Sequence, residues 1–207
     1  MKLFLASLAS ETLDLITPLL PSPQGLTLRV AFITTAADQY DERPWLDNDR
    51  AKLVSMGFLV TDYDLKGKTI EMLRQDLSTY QIIFVAGGNT FYLLDHVRKS
   101  GFDVVIKELL QLGVIYVGSS AGSIIMCPTI EFFRSLDMPS PEMTDFRGLG
   151  IFNQLIIPHY GREKYAERHA KLIAELKDKP LPYEILPLRD DQAVMINEDV
   201  ISIVTSK

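Results

Sequence analysis

Ser120 stands inside Gly118-Ser119-Ser120-Ala121-Gly122, a G-x-S-x-G pentapeptide. A short β-branched and aromatic run, Val114-Ile115-Tyr116-Val117, precedes it, and the apolar segment Ile124-Ile125-Met126-Cys127 follows. Strand, tight turn and helix in that order make a nucleophile elbow, in which the serine is held in a strained conformation with its hydroxyl exposed. Gly118 and Gly122 leave room where a side chain would crowd the turn. The helix behind the turn favours developing negative charge. A small-residue turn that merely lets a helix pack on a sheet would have the same composition, so the partners of Ser120 decide the reading.

A serine hydroxyl needs a base, and the chain has three histidines. His96 and His169 fall inside helical patterns and suit packing or surface roles. His159 follows Asn153-Gln154-Leu155-Ile156-Ile157-Pro158, at the end of an apolar run, and is the candidate general base. Attack on a carbonyl also creates an oxyanion, which needs two aimed N–H donors. Ala121, directly after the serine, supplies one. Gly87-Gly88-Asn89-Thr90 follows another apolar run, and Gly88 supplies the second. That stretch lacks the lysine and the glycine spacing of a phosphate loop. The acid that orients His159 is Asp190 on physical grounds, because it lies just past the apolar run Tyr183–Leu188, where a strand end holds a side chain rigidly. Asp191 next to it points the other way.

The elements around these residues alternate. Strands are expected at Leu3–Ser7, Arg29–Thr35, Phe58–Leu65, Gln81–Ala86, Val114–Val117, Asn153–Tyr160 and Tyr183–Leu188, with a hairpin over Ala193–Val204 turning at Asn197-Glu198-Asp199. Helices are expected at Glu11–Leu20 (ended by Pro21 and Pro23), Thr69–Leu77, Phe91–Ser100, Phe102–Leu112 and Glu163–Leu176. Ala36–Asp47 reads as a polar loop holding Trp45, followed by a helix to Met56, and Pro128–Gly150 as a long loop. Near-continuous apolar strands between helices predict an α/β fold, a mostly parallel sheet covered by helices on both faces. Gly87-Gly88, Ser120 and His159 all follow strand ends, where such sheets bind ligands.

Composition sets the outer limits. With 207 residues, 47% of them hydrophobic, one compact domain over 1–207 is expected. The short apolar start, Met1 to Ser7, reads as a first strand, and no run is long enough for a membrane span. A net charge of −6 argues against nucleic acid as a partner. The single cysteine, Cys127, fits a reducing cytoplasm. Three scattered histidines and one cysteine make a poor metal site, so no metal and no cofactor is expected.

Gly87-Gly88-Asn89-Thr90-Phe91, Gly118 to Ser123, Cys127-Pro128-Thr129, Asp137-Met138-Pro139 and Pro158-His159-Tyr160 together resemble peptidase E, a serine dipeptidase family related to cyanophycinase. The resemblance implies a class I glutamine amidotransferase-like, flavodoxin-like fold with serine in place of cysteine at the elbow. It implies metal-free hydrolysis of dipeptides with an N-terminal aspartate, through an acyl-enzyme on Ser120 with His159 as base. It offers Asp137 as an alternative acid to Asp190. If Asp190 completes the triad, Asp137 holds the loop or the substrate amine. An aspartate-reading site needs a cation, for which Arg162, three residues past His159, is preferred over Arg168, and Asn89 is a further candidate contact. The expected partner is a small peptide, and homo-oligomerisation is left open. Two other functions compete: a catalytically silent small-molecule-binding or interaction module on the same fold, and a glutaminase using Cys127, about two helical turns from the elbow.

Overall fold

In the computed structural model, which describes residues 1–21, 27–140, 142–177 and 181–206, strands and helices alternate as the apolar runs require. In chain order they are β1 (Lys2–Ala6), α1 (Ala9–Thr12), β2 (Arg29–Ile33), α2 (Pro44–Ser55), β3 (Leu59–Tyr63), α3 (Ile70–Leu77), β4 (Ile82–Val85), α4 (Thr90–Ser100), α5 (Phe102–Gln111) and β5 (Ile115–Ser119). Then follow α6 (Ala121–Ile124), β6 (Leu155–Ile157), α7 (Ala166–Lys177), β7 (Ile185–Pro187), β8 (Gln192–Asn197) and β9 (Val200–Thr205).

The main sheet has seven strands in the order β3-β2-β4-β5-β1-β8-β9. Its first five strands are mutually parallel, and β8 and β9 join antiparallel at one edge. The parallel part has the 2-1-3-4-5 order of flavodoxin-like folds, with the fifth place taken by the first strand of the chain. Alternation along each strand splits the apolar residues between two layers. Leu3, Leu5, Ile33, Val85 and Tyr116 face the layer of α3, α4 and α5. Phe4, Ala6, Phe32, Phe84 and Val117 face the layer of α1 and α2. Both faces of the inner strands β1, β2, β4 and β5 are dry, which is why these strands read as apolar runs, whereas the edge strand β3 is largely exposed and carries Thr61 and Asp62.

Five expectations need correction. The stretch Glu11–Leu20 is mainly a 3-10 helix, Leu13–Leu19, after one α-turn. Pro18 lies within it and has no N–H to donate to an α-ladder. Pro23 lies outside the described residues. Trp45 is not in a loop, because α2 begins at Pro44 with proline in the first turn. Ala36 and Ala37 are fully buried in a 3-10 turn. The segment 128–150 contains a 3-10 turn, Glu131–Ser135, and a bridge from Thr129 to Arg147. The helix after the elbow is one turn long, so Cys127 lies beyond it. Finally, β6 and β7 are not in the main sheet. They pair in parallel as a separate two-stranded sheet, with Ile157 opposite Pro187.

Candidate active site

The elbow forms because β5 ends against three close backbones. A Cβ on Gly118 would overlap the Gly122 backbone, and one on Gly122 would overlap the Val85 carbonyl. Tyr116 donates from its hydroxyl to the Gly122 carbonyl at 2.6 Å, and Ser123 donates from Oγ to the carbonyls of Ala6 and Gly118 at 2.8 and 3.0 Å. Ser120 N–H donates to the Ala6 carbonyl at 3.1 Å. Held between these bonds, Ser120 has φ 49 and ψ −105. Among the described residues, the non-glycine residues with positive φ are Ser120, His159 at φ 60 and Glu198 at φ 57. Glu198 sits in the β8–β9 turn. The other two are the residues singled out by their chemistry, and backbone strain of this kind costs of order 1–3 kcal/mol per residue.

His159 closes the arrangement from the small sheet. Its Nε2 lies 3.0 Å from Ser120 Oγ, and its Nδ1 lies 2.6 Å from Asp190 Oδ1. Two backbone bonds tie the end of β6 and the chain after it to the chain beyond β7: Leu188 N–H to the Ile157 carbonyl at 2.9 Å and Tyr160 N–H to the Leu188 carbonyl at 3.0 Å. The Tyr165 ring stacks on the imidazole with centroids 5.0 Å apart. Ser7, just past β1, accepts the His159 backbone N–H at 2.7 Å and donates to Asp190 Oδ1 at 3.1 Å. Burial alone would raise the Asp190 carboxyl. The bond from His159, the charges of His159 and Arg162, and the Ser7 hydroxyl outweigh it, so the carboxyl titrates below its ordinary value.

The remaining candidates separate by what occupies them. Asp137 Oδ2 accepts from Thr90 N–H at 2.9 Å and Thr90 Oγ at 2.7 Å, which fastens the loop to the start of α4. Burial raises its carboxyl, against the Thr90 bonds and the charges of Arg168 and His159. Asn89 caps α4, accepting from Tyr92 N–H at 2.9 Å, and its amide donates to the Met138 carbonyl at 3.2 Å. Arg162 is ion-paired with Asp190 Oδ2. Arg168 donates to the Leu136 carbonyl at 3.3 Å. Asp191 pairs with Arg189. Gly88, at φ 151, has its Cα against the Ala36 carbonyl, where a Cβ would overlap. Ala121 opens α6, and the first N–H groups of a helix have no partner within it.

Cys127 is buried, and burial pushes its thiol up to about 12. Its Sγ takes the Ile156 N–H at 3.4 Å, and it is a packing residue, not a thiolate. His169 is buried beside the rings of Tyr160 and Tyr165, and His96 lies against Tyr92. Sequence reasoning overlooked Ser7 and the fully buried Asp49 of α2, which accepts the Ser10 N–H at 2.9 Å. A signal for Ser7 was its place at the end of the strand pairing with the elbow strand, Ala6 opposite Ser119.

With strained serine, histidine and carboxylate in one hydrogen-bonded row, the comparison with known proteins is direct. The model of peptidase family S51 matches residues 3–204. The chain belongs to that family. Its members are serine-type peptidases, and the chain is accordingly a peptidase. It is 28% identical over 200 residues to an uncharacterized peptidase of Pasteurella multocida, covering 96% of this chain and 94% of that one. It is 33% identical over 130 residues to peptidase E of Salmonella arizonae, covering 63% of this chain and 52% of that one. A crystal structure of a candidate peptidase E from Listeria monocytogenes EGD-e superposes with a TM-score of 0.87 at 26% identity, over 99% of this chain and 98% of that one. Among the described residues no helix is long and apolar enough to cross a membrane.

Proposed function

We propose that the protein hydrolyses short peptides, dipeptides with an N-terminal aspartate first among them, through an acyl-enzyme on Ser120. The supporting observation is the row Ser120–His159–Asp190, with distances of 3.0 and 2.6 Å, built on a serine held at φ 49. Ser120 Oγ attacks the peptide carbonyl while His159 Nε2 takes its proton. The tetrahedral oxyanion lies against the N–H groups of Gly88 and Ala121. His159 returns the proton to the leaving amine, and water, activated by the same imidazole, hydrolyses the ester. Asp190 fixes the tautomer and stabilises the imidazolium, Ser7 holds Asp190, and Arg162 keeps it ionised. No cofactor enters any step.

For substrate choice the two arginines are unequal. Arg162 is committed to Asp190, whereas Arg168 has one long bond to a carbonyl and lies where its charge reaches Asp137 and Tyr40. Arg168 is therefore the guanidinium offered to a substrate carboxylate. The lone cysteine thiol and the net charge of −6 suit a cytoplasmic enzyme working on small peptides rather than nucleic acid. The test has two arms. Phosphonofluoridate should label Ser120 stoichiometrically, and inert, folded protein would mean a silent binding module. Asp-Leu should be cleaved faster than Leu-Leu, with the difference lost in Arg168→Ala. Equal rates for the two dipeptides would remove the aspartate reading.

A further inference from the structure

Trp45, the single tryptophan of the chain, lies in the first turn of α2 and donates from its indole Nε1–H to the Gly87 carbonyl at 3.0 Å. Its Cδ1 is also near Gly87: a Cβ placed on that glycine would lie 3.9 Å from it and 3.3 Å from Ser120 Cβ. The peptide that the indole holds is therefore the one between Gly87 and Gly88, beside the serine. In a trans peptide the C=O of one residue and the N–H of the next point in opposite directions. Fixing the Gly87 carbonyl toward the indole fixes the Gly88 N–H away from it.

Two glycines in succession would otherwise let this peptide rotate. A rotated peptide would turn a carbonyl dipole, instead of an N–H, toward developing negative charge. The flanking positions are already pinned: Ala86 N–H donates to the Ile33 carbonyl at 3.0 Å, and Asn89 N–H donates to the Ala36 carbonyl at 2.8 Å. Trp45 supplies the restraint between them. It is itself braced, with Tyr40 edge-on at 5.3 Å between centroids. One turn further along α2, on the same face, Asp49 accepts from Ser10 N–H. We infer that Trp45 is a positioning residue of the active site, which holds the Gly87–Gly88 peptide so that the Gly88 N–H faces the oxyanion. This rests on the reading of Ser120 as nucleophile.

Because the chain has one tryptophan, replacing all tryptophan by β-(3-benzothienyl)alanine during expression changes Trp45 alone and exchanges its N–H for sulfur at nearly constant shape. Trp45→Phe is the companion variant. Both should lower kcat by about 10–100-fold, by analogy with partial loss of an oxyanion donor, with KM changed by less than about threefold. A peptide aldehyde gives a second readout. Ser120 Oγ adds to the aldehyde carbon, its proton passes to His159, and the carbonyl oxygen becomes the oxyanion. Its affinity should fall in parallel with kcat, while that of a non-covalent dipeptide product stays constant. Wild-type protein that neither labels nor hydrolyses would defeat the nucleophile reading, and this inference with it. Active wild type with an equally active benzothienyl form would overturn the role of Trp45 alone. So would a loss of kcat that leaves aldehyde affinity unchanged. If Trp45→Phe fails to fold, the isosteric form decides.

Discussion

The proposed nucleophile and its proposed base come from two differently built regions. Ser120 directly follows β5, a strand flanked on both sides in a seven-stranded sheet and buried at every residue. His159 and Asp190 follow β6 and β7, three-residue strands that pair only with each other, and β7 is largely exposed. In the first region, close packing and buried backbone hydrogen bonds do the positioning: glycines with no room for a methyl group, and bonds from Tyr116 and Ser123, fix the serine in its strained conformation. In the second, β6 and Leu188 are buried in the core, but the imidazole and the carboxylate beyond them are set by hydrogen bonds and charge from Ser7, Arg162 and the backbone around Leu188. A side chain that must stay still can be set in a packed wall. An imidazole that must change protonation state is better held by polar groups that respond to its charge.

Removing the packed partner should cost most. Ser120→Ala should lower kcat by about three orders of magnitude or more with little change in thermal stability, since the hydroxyl's bond is to His159 across the site. A variant with near-normal turnover would end the hydrolase reading. In the polar region, Asp190→Asn should slow acylation by about 10²–10⁴-fold, because the amide can present N–H to Nδ1 and favour the wrong tautomer. Asp137→Asn should slow it by less than about tenfold, because an amide oxygen still accepts from Thr90. Pre-steady-state acylation rates that reverse this order would make Asp137 the acid.

A third prediction separates the regions by pH. Burial first, against the bonds from Ser10 and Ser119, raises the Asp49 carboxyl to about 7. A carboxyl that ionises less readily in the fold leaves stability untouched below about pH 4, where folded and unfolded states both hold the proton. Between about pH 4 and 7 it penalises the fold progressively, by of order 2–4 kcal/mol in all. Urea unfolding of Asp49→Asn should lose this slope. An unchanged slope would show that Asp49 ionises freely. The smallest effect is expected at Cys127→Ala. Activity should be unaltered and stability lower by about 1–2 kcal/mol, from a lost buried contact. Loss of turnover in that variant would revive a thiol mechanism.

The same contrast decides what could be read from the chain alone. The inner parallel strands were legible because burial on both faces makes them apolar runs, and the exposed edge strand β3 because Leu59 and Val60 open it directly after Phe58. That Ser120, His159 and Asp190 meet was legible because each follows an apolar run at a strand end. That β6 and β7 leave the main sheet was not legible, since three-residue strands carry no period. Helix α2 was started too late because the polar residues before Trp45 masked its first turn. The parts played by Ser7 and Trp45 depend on contacts across the fold, and local pattern does not encode them.

The place of β1 has a consequence for how the enzyme comes into being. Ala6 takes a hydrogen bond from Ser123, 117 residues away, and Ser7 binds Asp190 across 183 residues. On its other side β1 is closed by β8. The elbow therefore cannot be completed from a contiguous stretch of chain. It waits for the N-terminal strand to be trapped between partners made much later in synthesis. Such distant pairings fold slowly. Peptidase activity should accordingly appear as the last event of folding, all at once, and a chain released before β8 should be inert rather than weakly active.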